Sequence, residues 1–217
     1  GIHTCLLLIN AATTILVFLL GKRLADAWVG FAAAAGFAFL SLGQFVQGGF
    51  ANSEHFVLLP MVGGLLLLLK SLDEDRIRFL FYSGLLLGTG FLMKQHGIAF
   101  VLLAGTYLLI TGLTDRYRLA QRLALFTIGV ILPYALVCLI FIWRETFQEF
   151  WFWTFEYARA YTSQLPIRFA WAGFLDRFLP IIGSAPLLWG ACLVGICFGW
   201  IDIQVRKRFN FILLFLI

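Results

Sequence analysis

Charge is what this chain is short of. Asp, Glu, Lys and Arg make up 12% of its 217 residues against 62% hydrophobic residues, and the mean hydropathy is +0.95. So little polar surface could not cover a soluble fold of this length, which excludes a water-soluble globular protein. Proline is also sparse, at five residues, so little in the apolar runs interrupts a helix. The four cysteines, Cys5, Cys138, Cys192 and Cys197, all lie in apolar runs, with no CxxC pair and no histidine at metal-ligand spacing. That argues against a zinc module or a disulfide framework and leaves small buried hydrophobes. There is no GxxxxGK[ST], no GxGxxG and no HExxH, so cytosolic nucleotide chemistry has no support. No alternating segments of about ten residues occur, which excludes a β-barrel.

What is present is a series of long apolar runs separated by short polar breaks. Runs near Ile2–Leu20, Trp28–Val46, His55–Leu69, Phe79–Met93, Gly97–Leu113, Leu123–Trp143 and Leu179–Trp200, with an eighth beginning near Phe209, predict membrane-crossing helices, each needing about 20 residues. Phe79 to Leu113 as one helix would be about 50 Å long at ~1.5 Å per residue, too long for a core of ~30 Å, so the chain must turn at Lys94-Gln95-His96-Gly97. Gly97 is expected to permit that turn. The expected fold class is all-α: a polytopic transmembrane helix bundle of about seven spans plus a truncated eighth, with an outer interfacial amphipathic helix. It forms a single transmembrane domain over residues 1–217. The chain starts and stops inside apolar runs and reads as a piece of a longer protein, truncated at both ends.

The formal charge of +5 does not indicate nucleic acid, because the basic residues sit at the ends of the apolar runs. Lys22, Arg23, Lys70, Arg76, Arg78, Arg116, Arg118, Arg122, Arg206, Lys207 and Arg208 fall on one face. Lys94, Arg144, Arg159, Arg168 and Arg177 fall on the other. This asymmetry places the first face in the cytoplasm by the positive-inside rule. Its breaks, including Lys70 to Arg78, read as solvated loops and topology signals. Trp143, Trp151, Trp153 and Trp171 near the opposite boundary, and Trp28 and Trp200 near the basic one, form the expected aromatic belts.

The outer breaks carry the chemistry. In the loop from Gln47 to His55, Asn52 or Ser53 can cap the third span and place Glu54 in its first turn, where the positive helix end favours a carboxylate. Lys94 and His96 sit in a tight turn between two apolar spans, and a cation held at that depth suggests a role in binding. With His55, they are candidates to hold the phosphate of a lipid-linked substrate; snorkelling of Lys94 to lipid phosphates is the plainer account. The third outer segment, Arg144 to Arg177, predicts an amphipathic helix in the membrane plane. Glu145, Glu149, Glu156 and Ser163 lie on one side, flanked by Gln148 and Arg159. Phe147, Phe150, Trp151, Tyr157, Ala158 and Tyr161 lie on the other, and Phe152 is the misfit. It is expected to act as an anchor, or as an interfacial lid that uses Glu145, Glu149, Glu156 and Arg159. The glycines between Ser83 and Gly90 have the small-xxx-small spacing of helix packing.

Three segments together, Ala51 to His55, Ser83 to Gly97 ending in FLMKQHG, and the aromatic outer helix, resemble the dolichyl-phosphate-mannose–protein mannosyltransferase-like family of C-type glycosyltransferases. The stretch resembling GxxxGxxFLxKxxG reads here as Gly84, Gly88, Phe91, Leu92, Lys94 and Gly97. The resemblance implies transfer of a sugar from a polyprenyl-phosphate donor to an acceptor glycan, lipid or protein on the non-cytoplasmic side. It implies Glu54 as an acidic residue near the reacting sugars and Lys94 as a contact to the donor phosphate. The family's principal catalytic Asp lies in a first outer loop before the span matching Ile2–Leu20. That loop is not among these residues, so they are expected to be inactive alone. No cofactor is expected; a divalent metal remains open, since one acidic residue defines no site. The expected location is a bacterial inner membrane with the site facing the periplasm. The competing readings are a transporter or flippase with Glu54 and Lys94 on its path, and a lipid-binding scaffold without turnover.

Overall fold

A computed structural model describes residues 1–43, 50–113, 115–162, 169–201 and 211. Among them every regular element is helical: α1 (Ile2–Leu24), α2 (Ala27–Ser41), α3 (Ser53–Glu74), α4 (Arg78–Met93), a 3-10 turn (Gln95–Gly97), α5 (Ile98–Gly112), α6 (Arg116–Trp143), α7 (Phe147–Trp151), a π turn (Phe152–Glu156), α8 (Tyr157–Thr162), α9 (Ala170–Ser184) and α10 (Pro186–Ile201). Helix starts follow local chemistry. Asp26 accepts from the N–H groups of Trp28 and Val29 at 2.8 and 2.9 Å to cap α2, and Asp115 accepts from Arg118 N–H at 3.1 Å to cap α6.

The centre of the bundle is α3, with 56% of its apolar window buried against 17% for α1 and 11% for α6. Met61, Leu65, Leu68, Leu80, Leu87 and Leu108 form the fully enclosed core. Helices α3 and α4 make an antiparallel hairpin, tied by the buried Ser83 hydroxyl donating to the Gly64 carbonyl at 2.7 Å. That bond inside an apolar interface is the type of polar contact that fixes one helix against another in lipid. Helices α4 and α6 run parallel, because residues 84, 88 and 91 meet 126, 130 and 134 in order. A Cβ at Gly84 or Gly88 would overlap the carbonyl oxygen of Phe126 or Val130, and one at Gly129 would overlap the Phe81 carbonyl. The small-xxx-small stretch is therefore a backbone-to-backbone seam, as its spacing predicts.

Four helices are long and apolar enough to cross a membrane: α1, α3, the unit of the 3-10 turn with α5, and α6. A fifth is added if α9 and α10 are one span. The expected seven were overcounted by length: α2 and α4 hold 15 and 16 residues, short of the usual ~20. The expected span from Leu179 to Trp200 is broken, since α9 and α10 meet at 97°. Pro186 has no N–H to continue α9, and Ala185 before it leaves the helical region at φ −147, ψ 60. The eighth run lies outside the described residues except for Phe211, whose ring packs edge-on against Tyr107 at 5.1 Å. The cysteines correct another expectation: Cys5, Cys192 and Cys197 are exposed and Cys138 half-exposed, none enclosed by protein.

The breaks read as solvated loops and topology signals prove to be a clasp. At the basic end Arg23 of α1 bonds Asp73 at 2.8 Å and Glu74 at 3.1 Å. Arg122 and Arg118 of α6 reach Asp75 at 2.9 and 3.6 Å. Asp75 terminates α3 in the left-handed region, φ 49, ψ 39, which aims its carboxylate at α6. The signal was present in the sequence as three consecutive acids opposite four arginines, but spacing alone does not pair residues about fifty positions apart.

Candidate functional site

At the opposite end, three elements meet at the break between α4 and α5. Lys94 leaves the helix with an extended backbone, φ −153, ψ 130, and its N–H still bonds the Gly90 carbonyl at 3.0 Å. The 3-10 turn then closes as Gly97 N–H bonds the Lys94 carbonyl at 2.9 Å. Gly97 itself sits at φ −57, so the turn does not use its conformational freedom, against expectation. What requires glycine there is space: a Cβ would strike the Met61 methyl group and lie 2.9 Å from Phe91 Cα.

This geometry sends the Lys94 ammonium across to the first turn of α3, where it pairs with Glu54 Oε1. Ser53 Oγ donates to the other carboxylate oxygen at 3.3 Å. Asn52 occupies the N-cap position, φ −73, ψ 147, yet its side chain makes no capping bond to the helix. Glu54 is thus engaged by a cation from another helix. The two side chains remain 60% (Glu54) and 30% (Lys94) exposed, so a ligand can reach both. Next to Lys94, the Gln95 side-chain amide donates to the Thr154 carbonyl in the π turn.

That bond docks the segment 147–162 on the α4–α5 turn, and a ring cluster completes the docking. Phe150 stacks on Phe141 at 4.6 Å, while Tyr134 contacts Phe91 at 5.8 Å, Phe150 at 6.0 Å and Phe155 at 6.2 Å. The half-buried face is Phe147, Phe150, Thr154, Phe155 and Ala158. On the exposed side, Phe147, Gln148, Glu149, Trp151, Phe152, Trp153 and Glu156 line a cavity of about 830 Å³. The expected separation of carboxylates from aromatics is therefore corrected: Glu149 and Glu156 share a cavity with Trp151 and Trp153. The cause is the π turn, in which Tyr157 N–H bonds the Phe152 carbonyl five residues back. The extra residue per turn shifts the register that a uniform α-helical wheel assumes. Phe152, the misfit on that wheel, opens the π turn.

The other expected site residues divide. Glu145 lies in the α6–α7 turn at φ 58, before the helix, so it is not on the carboxylate face. Arg159 is exposed on α8. His55 is 4% exposed on the interior side of α3, and His96 is exposed in the 3-10 turn. Among the described residues neither histidine bonds Glu54 or Lys94, and no three His, Cys, Asp or Glu side chains converge as a metal site. Gln47, Gly48, Gly49, Ser163, Pro166, Arg168 and Arg206 to Arg208 lie outside the described residues. The Gln95 contact was missed by sequence reasoning, because its partner is a main-chain carbonyl and carries no residue-type signal.

No curated protein and no solved structure matches the chain. A family model does match, over residues 1–143, which takes in Glu54, Lys94, the α4–α6 seam and the clasp, and ends one turn before α7. The match covers well over half of the chain, and its apolar helices make it an integral membrane protein. The chain belongs to the dolichyl-phosphate-mannose-protein mannosyltransferase family, whose members are membrane glycosyltransferases.

Proposed function

We propose that this protein transfers a sugar from a polyprenyl-phosphate donor to an acceptor hydroxyl on the non-cytoplasmic face of its membrane. The observation that carries the reading is the Glu54–Lys94 pair. It joins two segments of the family-matched region at the end opposite the basic clasp. By the positive-inside rule that end faces away from the cytoplasm.

In this reaction the acceptor oxygen forms a bond to the anomeric carbon as the bond from that carbon to the phosphate oxygen breaks. The phosphate leaves with the electron pair, still attached to its polyprenyl chain, and the acceptor hydroxyl loses its proton to a base. Lys94 supplies a fixed cation to the phosphate, where negative charge grows in the transition state. A donor phosphate competes with Glu54 for that ammonium, so donor binding releases the carboxylate to meet the sugar or the acceptor hydroxyl. His96 flanks the phosphate position, whereas the burial of His55 keeps it from a ligand arriving at the surface. A direct displacement inverts the anomeric carbon.

The test is sugar transfer from a synthetic polyprenyl-phosphate sugar by the full-length protein in lipid nanodiscs. Lys94→Met should lower kcat/KM for the donor by about 100-fold, from a lost charge-assisted contact to phosphate of about 3 kcal/mol. Lys94→Arg should retain part of the rate, since charge survives with a different head-group shape. Parental turnover by the Met variant would reduce Lys94 to a lipid anchor and remove the basis for the reading.

A further inference from the structure

The cavity on α7 and the π turn lies wholly beyond the family-matched residues and has no part in the donor chemistry above. We propose that it is a carbohydrate subsite, which holds one or two pyranose rings of an acceptor glycan beside the Glu54–Lys94 pair. The inference rests on the glycosyltransferase reading for the word acceptor, but not for sugar binding itself.

Three observations converge. The first is the mixture of side chains. A pyranose offers a flat C–H face and a rim of hydroxyls, and it is recognised by an aromatic plane together with carboxylate or amide oxygens that accept from those hydroxyls. Trp151 and Trp153 supply the planes, and Gln148, Glu149 and Glu156 supply the acceptors, all on one cavity wall.

The second is that both rings are held before any ligand arrives. Trp151 packs on Phe155 at 4.4 Å and on Phe147 at 6.2 Å. Trp153 packs on Phe152 and on Tyr157, each at 5.3 Å. Fixing the rings in advance reduces the ordering cost on binding. The π turn contributes to the same end, because residues five apart approach one face there, which sets Glu156 near Trp151 and Trp153 near Gln148.

The third is charge. The wall carries two carboxylates and no cation, which repels phosphate and so disfavours both the donor head group and anionic lipid. A purely interfacial helix would show the reverse, with Lys and Arg on its polar face. The arrangement divides labour: an anion is drawn to Lys94, and an uncharged glycan to the acidic aromatic wall. Gln95 links the two, donating to the Thr154 carbonyl in the π turn one residue from Lys94.

The experiment is a titration of the full-length protein in zwitterionic nanodiscs with three neutral disaccharides: mannobiose, cellobiose and lactose. The readout is tryptophan fluorescence, with iodide as an aqueous quencher. At least one sugar should give a saturable change in the millimolar range and protect the fluorescence from iodide. Trp151→Ala with Trp153→Ala should abolish the change. Glu149→Gln with Glu156→Gln, at exposed positions that do not threaten folding, should weaken it by about tenfold for lost charge-assisted bonds. Lys94→Met should leave it intact, so a failed donor assignment does not erase a sugar site. No saturable response to any of the three sugars overturns the proposal. So does a response that survives in both double variants. Quenching of Trp151 and Trp153 by lipid brominated near the head group, without a sugar response, would identify the wall as a membrane anchor instead.

Discussion

Glu54 shows how one residue separates a structural role from a chemical one. A carboxylate that only caps α3 would bond to its own helix; this one bonds to Lys94 of α4 and to the Ser53 hydroxyl. A cap or an exposed ion pair is worth about 1 kcal/mol or less here. Glu54→Gln should therefore barely change the unfolding temperature while cutting sugar transfer at least about tenfold, equivalent to 1.4 kcal/mol or more of transition-state binding. Glu54→Asp keeps the charge but shortens the reach, and should fall between. Equal turnover by all three forms would return Glu54 to a purely electrostatic role at the helix end. A second residue-scale prediction concerns Glu145, held at φ 58 in the turn before α7. Glu145→Gly should stabilise the protein slightly, and Glu145→Val should destabilise it by about 1 kcal/mol, as a β-branched side chain resists that backbone. Thermal unfolding in nanodiscs distinguishes the two. Glu54 and Lys94 were legible in the sequence because a charge at the end of an apolar run has few plain explanations. Their pairing was not legible, since nothing local joins positions 54 and 94. His55 was misjudged for a related reason: adjacent helical positions point in different directions, and only packing decides which of two neighbours is buried.

Among the elements, the parallel contact of α4 with α6 is the most demanding, because main chain touches main chain at Gly84, Gly88 and Gly129. Gly88→Ala should lower stability by about 1–3 kcal/mol, the usual result of overpacking where backbone cannot yield. Gly105 on α5, where a Cβ would meet nothing within 4 Å, provides the control. Gly105→Ala should be neutral or stabilising by up to ~1 kcal/mol through helix propensity. If both alanines behave alike in a thermal-stability assay, the seam is looser than described. Helix packing of this kind could be read from the repeat of small residues alone. Helix length could not, as hydropathy does not reveal that α2 stops at Ser41 or that Pro186 turns the chain by 97°. The segment at 147–162 failed in a more instructive way. Its helical character was plain, but one inserted residue at the π turn carried Trp151 and Trp153 around to the carboxylates.

The whole molecule has a charged clasp at one end and the Glu54–Lys94 site at the other, separated by the length of α3. Cysteines placed at 52 and 145, in a background without the four native cysteines, should react with a membrane-impermeant thiol reagent in intact cells. A cysteine at 117, where Tyr117 is 74% exposed, should react only after permeabilisation. The opposite pattern would invert the orientation and with it the proposed reaction. At the clasp, Asp75→Asn removes the shared partner of Arg118 and Arg122. It should reduce stability by about 1 kcal/mol or less at low salt and by still less at high salt, because exposed pairs are screened.

The bond from Gln95 to the π turn ends on a main-chain carbonyl, a group that every amino acid at position 154 would present. Mutational drift along 147–162 can therefore rewrite the whole aromatic wall without detaching it from the α4–α5 turn, whereas a change at position 95 uncouples the two at once. In evolutionary terms the segment is an interchangeable cartridge in a fixed socket. Descendants of this chain would diversify what the wall recognises while retaining glutamine, or another amide donor, at a single site.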